Sequence, residues 1–372
     1  MEFRIDGSEL TDAVAWAARV LPARSPVPVL GGLLLEARDG RLRVSGLDYE
    51  ASARIEVEAE TVREGRALVL GRRLLDICKV LPKGPVESAI EGARLSVTGG
   101  DARFGLSLLP LDDYPAQPEL PAFRGVVEAD AFAAAVAQVA VAAGRDDSLP
   151  VLTGIRLALD GTTMTLAATD RYRYAVRTLE WKPAGDGETG ADEAGADVVV
   201  PARRLTEIAR SLTSAAGPVR LALDGGSIGF ESTGTRTTTR LLDGRLPRHD
   251  KLFSLGEHAV AVTERAPLVE AVKRVAVVAE GDSPVQLAFA GDAVHLQAGY
   301  EDDVASQRLA AALEGAEAMT VAFNPGYLLD ALGSFDTDTV RLHLLGPGQR
   351  ALITDRADGR HQHLLMSVKP LV

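Results

Sequence analysis

Apolar residues recur along this chain in two alternating rhythms. Some runs place them at every second position, as in half-buried strands, and others three and four apart, as on one face of a helix. The first helical run carries Leu10, Ala13, Val14 and Ala17 on one face. Phe132, Val136 and Val139 do the same in a second run, and Leu268, Val272 and Val275 in a third. Each run follows a short alternating strand and a polar capping position: "MEFRIDGSELTDAVAWAARVL", "RGVVEADAFAAAVAQVAVAA" and "HAVAVTERAPLVEAVKRVAVVA". Strands and turns come next. "PVLGGLLLEARDGRLRVSGLDYEASARIEV" is matched by "PVLTGIRLALDGTTMTLAATDRYRYAVRTL" and, more weakly, by "PVQLAFAGDAVHLQAGYEDDVASQRLAA". Asp-Gly between alternating runs is a hairpin signal. A second strand–turn–helix unit then follows in each third: "ALVLGRRLLDICKVL", "DVVVPARRLTEIARSL" and "MTVAFNPGYLLDALGSF", with Leu74, Leu205 and Leu328 in equivalent places.

Each third therefore reads β-α-β-β-β twice over. The pattern predicts an α+β protein of three similar domains, 1–122, 123–252 and 253–372, each with an internal pseudo-twofold. The period is far longer than the ~20–50 residues of solenoid repeats. One segment breaks the rhythm. "PAGDGETGADEAGAD", 183–197, is rich in Gly, Ala and acid without apolar periodicity, and reads as a disordered surface loop inside the second domain.

Composition narrows the class. The chain is 46% hydrophobic and 25% charged, which is ordinary for a globular protein. No stretch approaches the ~20 apolar residues needed to span a bilayer. The N-terminus lacks the apolar region of a signal peptide, so a cytoplasmic protein with no membrane partner is expected. Cys78, the single cysteine, excludes an internal disulfide. Between Ile77 and Val80 on an apolar helix face, it reads as a small buried hydrophobe.

Catalytic chemistry finds no footing. Nucleotide-binding glycine motifs, nucleophile elbows and zinc-protease motifs are missing from the sequence. His361 and His363 are spaced to share a strand face, but no Cys or carboxylate stands nearby at ligand spacing, so no metal is expected. "GPGQR" reads as a turn. Asp112 and Asp113 would point to opposite faces of a strand and read as a linker. No enzyme activity and no cofactor are expected.

Charge is more informative in its distribution than in its sum. The net charge of −12 alone argues against a nucleic-acid partner. Yet Arg72, Arg73 and Lys79 fall on the second helix of the first domain, and Arg203, Arg204 and Arg210 on its counterpart in the second. Arg265, Lys273 and Arg274 lie on the first helix of the third, while Arg24 and Arg145 follow the first helices of domains one and two. If helices line one surface and sheets the other, the helix surface is basic and the sheet surface acidic, and a local positive surface holds phosphates despite the total. Ordinary solvated helix faces are the alternative.

The threefold unit, "LLDGRLPRHDKLF" and the terminal "HLLMSVKP" together resemble the bacterial sliding clamp, the beta subunit of DNA polymerase III, from the first residue to the last. The resemblance implies a head-to-tail homodimer closing into a ring, with helices inside and sheets outside. Each domain would then carry two helices on one face of its antiparallel sheets. The basic helices would surround duplex DNA without reading its sequence. Partners would be the DNA polymerase III catalytic subunit, the clamp loader and other proteins with a clamp-binding motif.

The resemblance also places Phe104 and Leu106, with Val277 and Val278, at the dimer interface. It assigns a peptide cleft to Leu152, Thr169, Arg171, Tyr172, Arg173, Tyr174, Pro247, Lys251, Leu252, Leu364, Met366, Ser367, Val368 and Lys369. Thr169 and the arginines would orient the peptide backbone.

Within that cleft the chain departs from the family. Ser367 stands where proline is usual, Lys369 where arginine is usual and His249 where tyrosine is usual, and the bulky "RYRY" of 171–174 is expected to narrow the cleft. A divergent second-copy clamp that resists a cleft-binding antibiotic is one reading of these changes, and neutral drift in a housekeeping clamp is the other. A peptide-binding scaffold that does not bind DNA is a third reading, of a different class.

Overall fold

The computed structural model describes residues 1–22, 27–185, 195–213, 217–281, 283–300, 303–355 and 359–369. The predicted helices form where the apolar spacing places them. Gly7–Ala18 starts on an N-cap: the Asp6 carboxylate accepts the Ser8 N–H at 2.8 Å. Pro325–Gly333 starts on Asn324, whose side chain accepts the Tyr327 N–H at 3.1 Å, with proline in the first helical turn. Leu10, Phe132 and Leu268 are buried, and so are Leu74, Leu205 and Leu328. The first Asp-Gly signal makes a two-residue hairpin. Arg38 pairs with Arg41, while Asp39 (φ 49°) and Gly40 (φ 71°) both occupy the left-handed region.

The three repeats are distributed over two compact units. One comprises Met1–Ala129, Lys182–Asp192 and Glu207–Leu241, and the other Asp130–Trp181, Glu193–Thr206 and Leu242–Val372. The first unit holds two antiparallel sheets. Its five-stranded sheet runs in the order Glu60–Arg63, Glu2–Asp6, Pro85–Glu91, Arg94–Gly99, Ala102–Ser107. Its nine-stranded sheet joins strands of the first and second repeats where Thr235–Arg240 pairs with Ala51–Glu58. The core between Gly7–Ala18, Gly71–Val80 and these sheets includes Phe3, Leu33, Leu42, Val97 and Cys78. Burial pushes the Cys78 thiol up to about 12, so at neutral pH it is a protonated core side chain.

The second unit repeats this plan. Its nine-stranded sheet joins the second and third repeats where Arg173–Glu180 pairs antiparallel with the terminal strand His361–Met366. Its four-stranded sheet runs Asp303–Ala310, Ala293–Tyr300, Val285–Ala290, Ala318–Phe323. Leu268, Val272, Phe289, Phe323, Leu328 and Phe335 are among the core residues.

Several expectations change. Asp112 and Asp113 lie in a turn and are both exposed, so they do not alternate across a strand. The ends of the acidic segment are ordered: Pro183 pairs with Gly125, and Asp197 opens the strand Asp197–Pro201 with its carboxylate on Arg156 at 2.7 Å. Residues 186–194, the middle of that segment, lie outside the described residues, as do Arg24 and the last three residues. Acids on the first unit's sheets are found paired with bases. In the first unit Glu56 is held by Arg43 and Arg54, each at 2.6 Å, and Glu231 by Arg236 at 2.9 Å. Arg43 lies directly across from Glu56 and Arg236 across from Glu231, while Arg54 shares a strand with Glu56. Two short strands, Glu60–Arg63 and Ala312–Glu314, were not signalled by periodicity.

Candidate peptide-docking pocket and charged surfaces

The second unit contains a pocket of about 630 Å³ with an apolar floor. Five side chains supply most of that floor: Leu152, Leu252, Leu345, Leu364 and Met366. Beneath them Ala167, Tyr174, Val176, Leu352 and Leu364 form a small separate core, against which Leu252, Phe253 and Leu255 pack. The geometry follows from strand pairing. Tyr174 faces Leu364 across the ladder between the second and third repeats, so residues nearly two hundred positions apart in sequence share one wall. The Tyr174 hydroxyl donates to the Pro247 carbonyl at 2.6 Å, and burial pushes its phenol up to about 12. His249 packs behind this wall, its ring centroid 6.1 Å from Tyr174 and 5.4 Å from Phe253. It does not line the pocket, and burial holds its imidazole below the usual value.

Of the predicted cleft residues, Leu152, Thr169, Arg171, Arg173, Tyr174, Pro247, Leu252, Leu364 and Met366 come together here. Tyr172 does not. It is turned outward, stacks on Tyr327 with centroids 6.2 Å apart, and lines a neighbouring hollow of about 490 Å³. The "RYRY" stretch therefore divides its rings between two recesses and does not crowd one. Ser367 is buried just below the rim, while Lys251, Val368 and Lys369 lie outside the pocket lining, with Val368 bridging to Ala322. Leu345, Gln349 and Arg350 line the pocket and were missed. Their signal was weak, since a glycine turn says nothing of what it faces.

Two residues expected to orient a peptide make bonds within the chain. The Thr169 hydroxyl is committed within the chain, donating to the Arg173 carbonyl at 2.7 Å and accepting the Arg171 N–H at 3.2 Å. Arg173 is buried and doubly paired. Its Nε meets Asp170 at 2.8 Å, its Nη1 meets Asp330 at 2.7 Å, and its guanidinium lies 4.5 Å from the Tyr327 ring. It braces the turn 170–173, in which Arg171 adopts φ 83°, against the helix Pro325–Gly333. Its Nε and Nη1 are thereby engaged within the chain.

The terminal departure acquires a structural account. The Ser367 hydroxyl donates to the Gln349 carbonyl at 2.6 Å and accepts the Gln349 N–H at 3.0 Å. The Ser367 N–H also donates to the Gln349 carbonyl, at 2.9 Å. Proline would supply none of these donors or acceptors.

The predicted cations fall on exposed helix surface for the most part. Arg72, Arg73 and Lys79 are exposed on Gly71–Val80, and Arg203 and Arg210 on Ala202–Leu212, where Arg204 is half-buried. Lys273 and Arg274 close the helix Arg265–Val275, Lys273 pairing with Glu270 at 2.9 Å. Cations in a last helical turn oppose the negative end of the helix dipole. Arg145 is exposed in a loop. Arg265 is tied down, its Nε donating to the Thr337 carbonyl at 2.8 Å. The helices Gly7–Ala18 and Ala129–Ala140 instead expose Glu9, Asp12 and Asp130. Of the interface candidates, Val277 is 83% exposed, Val278 and Phe104 are half-buried, and Leu106 is already buried in its own core. Ala102–Ser107 and Asp303–Ala310 are both sheet edges.

Comparison with known proteins gives one answer along the whole chain. The DNA polymerase III beta subunit N-terminal, central and C-terminal domain models match residues 1–118, 126–248 and 251–369 in turn. The chain is 48% identical to the beta sliding clamp of Streptomyces coelicolor and 42% identical to the beta sliding clamp homolog GriR of Streptomyces muensis, over 99% of both partners in each case. The structure of a Pseudomonas aeruginosa sliding clamp bound to griselimycin superposes with a TM-score of 0.92 over the full length of both chains, at 27% identity. With three domain models in order and a relative of 48% identity from end to end, the chain belongs to the DNA polymerase III beta subunit family, the non-catalytic sliding clamps of bacteria.

Proposed function

We propose that this protein acts as a replication processivity clamp in the bacterial cytoplasm. Two copies pair head to tail through the strand edges Ala102–Ser107 and Asp303–Ala310, with Val277 and Val278 contributing apolar contact. Joining two exposed edges removes unpaired backbone groups. The ring so formed encloses duplex DNA, with Arg72, Arg73, Lys79, Arg145, Arg203, Arg204, Arg210, Lys273 and Arg274 toward the phosphates. Phosphate contacts carry no sequence information, so the ring slides. The DNA polymerase III catalytic subunit, the clamp loader and other motif-bearing proteins dock by a short peptide in the pocket above the terminal strand.

The observation that carries this reading is the pocket itself, an apolar recess built on the chain's terminal strand. Loading onto nicked circular DNA, followed by gel filtration, tests it. Replacing Arg72, Arg73, Arg203 and Arg204 by Gln together should abolish retention on DNA. Unchanged retention would favour the peptide scaffold that does not bind DNA.

The second-copy reading has one observation in its favour, similarity to the GriR homolog along the whole chain. The higher identity to the Streptomyces coelicolor clamp supports a housekeeping role instead. Griselimycin affinity in the range of ordinary clamps, together with ordinary peptide affinity, would remove the resistance reading.

A further inference from the structure

Two histidines of the second unit meet where the chain enters the third repeat. His258 stands just before the strand Ala259–Glu264, and His343 lies in the neighbouring strand Thr339–Leu344, in register with Val260. Positions 258 and 260 share one face of the sheet, and position 343 joins them across the ladder. The two ring centroids are 5.1 Å apart, and His258 Nε2 lies 3.0 Å from His343 Nδ1. Both residues are half-buried, so the pair is reached from solvent.

The outward nitrogens of both rings are engaged as well. His258 Nδ1 lies 2.7 Å from the Gly256 carbonyl, which can only accept, so this nitrogen carries the proton. The Nε2 lone pair of His258 therefore points at its neighbour. At the far end His343 Nε2 lies 3.0 Å from the Thr354 hydroxyl, which can donate or accept. Metal-binding histidines nearly always have such a partner on the second nitrogen, because it fixes the tautomer and the direction of the ring. Tetrahedral zinc at ~2.0–2.1 Å from two imidazoles sets their nitrogens about 3.3 Å apart, so a shift of a few tenths of an ångström turns this pair into a chelating one. Arg341, two positions before His343, is offset by Glu314 at 4.0 Å.

We propose that His258 and His343 form a binding site for one divalent cation of the zinc class, held by His258 Nε2 and His343 Nδ1. The ion takes the place of the hydrogen bond between the rings. The His343 proton moves from Nδ1 to Nε2, which donates it to the Thr354 hydroxyl, so both imidazoles stay neutral and no proton is released. No third histidine, cysteine or carboxylate is gathered with them among the described residues, so water completes the coordination and the ion is exchangeable. Imidazole donors select zinc, copper or nickel over magnesium and calcium, which take oxygen ligands. A bound ion fastens the segment 254–258 to the sheet. Leu255 of that segment, with Leu252 and Phe253 just before it, packs against the small core that includes Leu352 and Leu364. The site therefore clips one wall of the recess in place, whatever the recess binds.

The test uses the untagged full-length protein, stripped with a chelator and titrated with zinc chloride in a calorimeter. One zinc should bind per chain. His258→Ala and His343→Gln should each weaken binding by more than about tenfold, a loss that even an outer-shell partner can cause. In protein labelled with nitrogen-15 histidine, zinc should move the ring signals of two of the six histidines, His258 and His343. Those signals need no variant, so they decide the matter even where a substitution disturbs the fold. No heat of binding at millimolar zinc would overturn the proposal. So would binding that survives both substitutions, an equal response to magnesium chloride, or movement of other histidines in place of these two.

Discussion

Arg173 and Arg350 line the same pocket, and the fold treats them in opposite ways. Arg173 has two carboxylates and an aromatic ring around it, whereas Arg350 has a long bond to one carbonyl and a buried N–H with no acceptor. A side chain whose demands are met inside the protein holds structure together. One whose demands are unmet is available to a ligand. The lesson is that presence in a pocket does not assign a role; the local balance of charge and hydrogen bonds does.

The largest expected effect tests the first half of this contrast. Arg173→Ala leaves Asp170 and Asp330 without their shared cation and should cost about 3–5 kcal/mol in urea unfolding. Arg350→Ala should change stability by no more than about 0.5 kcal/mol in the same assay. Equal losses from the two variants would erase the distinction.

Acid probes the Arg173 network from behind. His363 is fully buried, and burial, with His361 and Arg173 nearby, holds its imidazole well below the usual range. Burial holds His361 at about 4, its ring bonded to the Ser334 hydroxyl at 2.9 Å. In both cases the folded value lies below the unfolded one, so the unfolded chain binds the extra proton first. The stability from keeping these rings neutral is fully present above about pH 6.5 and falls as pH drops toward about 4, by about 3 kcal/mol for His361 alone. His361→Asn should flatten the urea midpoint across that window. A slope that persists unchanged would assign the acid sensitivity to other groups.

A smaller effect sharpens the account of Ser367. Ser367→Ala should cost about 1–2 kcal/mol and speed hydrogen exchange at the Gln349 amide. Ser367→Pro should cost more, because it also removes the backbone donor. Exchange at Gln349 that is indifferent to both changes would mean that the turn holds itself. The smallest expected effect concerns the helices. Arg73→Gln should lower the slope of log affinity for duplex DNA against log salt by about one unit or less, equally for every DNA sequence. A sequence-dependent change would point to base contacts.

Much of the fold was legible because it is local. Helix faces at 10, 13, 14 and 17 and the turn at Asp39-Gly40 depend only on neighbours in sequence, and the structure keeps them where the pattern puts them. The pocket was legible in part, through the family resemblance. What escaped was set at long range. The charge pattern of the sheets was hidden until strand pairing placed Arg43 opposite Glu56, on the face that Arg54 shares. Arg173 looked available until the turn 170–173 brought it to Asp330, on a helix 157 residues away. Arg350 went unnoticed because only register with the terminal strand, where it faces Met366, turns it toward the recess.

The two repeat boundaries have a mechanical consequence. At one, residues 235–239 pair with 51–55, and at the other 173–177 pair with 361–365, each through continuous main-chain hydrogen bonds. Peeling a repeat from its neighbour would mean unzipping a sheet through its middle. In the proposed ring of two such chains, force that prises the circle apart would meet weaker resistance at the two seams between chains, where the short edges Ala102–Ser107 and Asp303–Ala310 would pair. Opening would thereby be directed to joints that can close again without refolding anything.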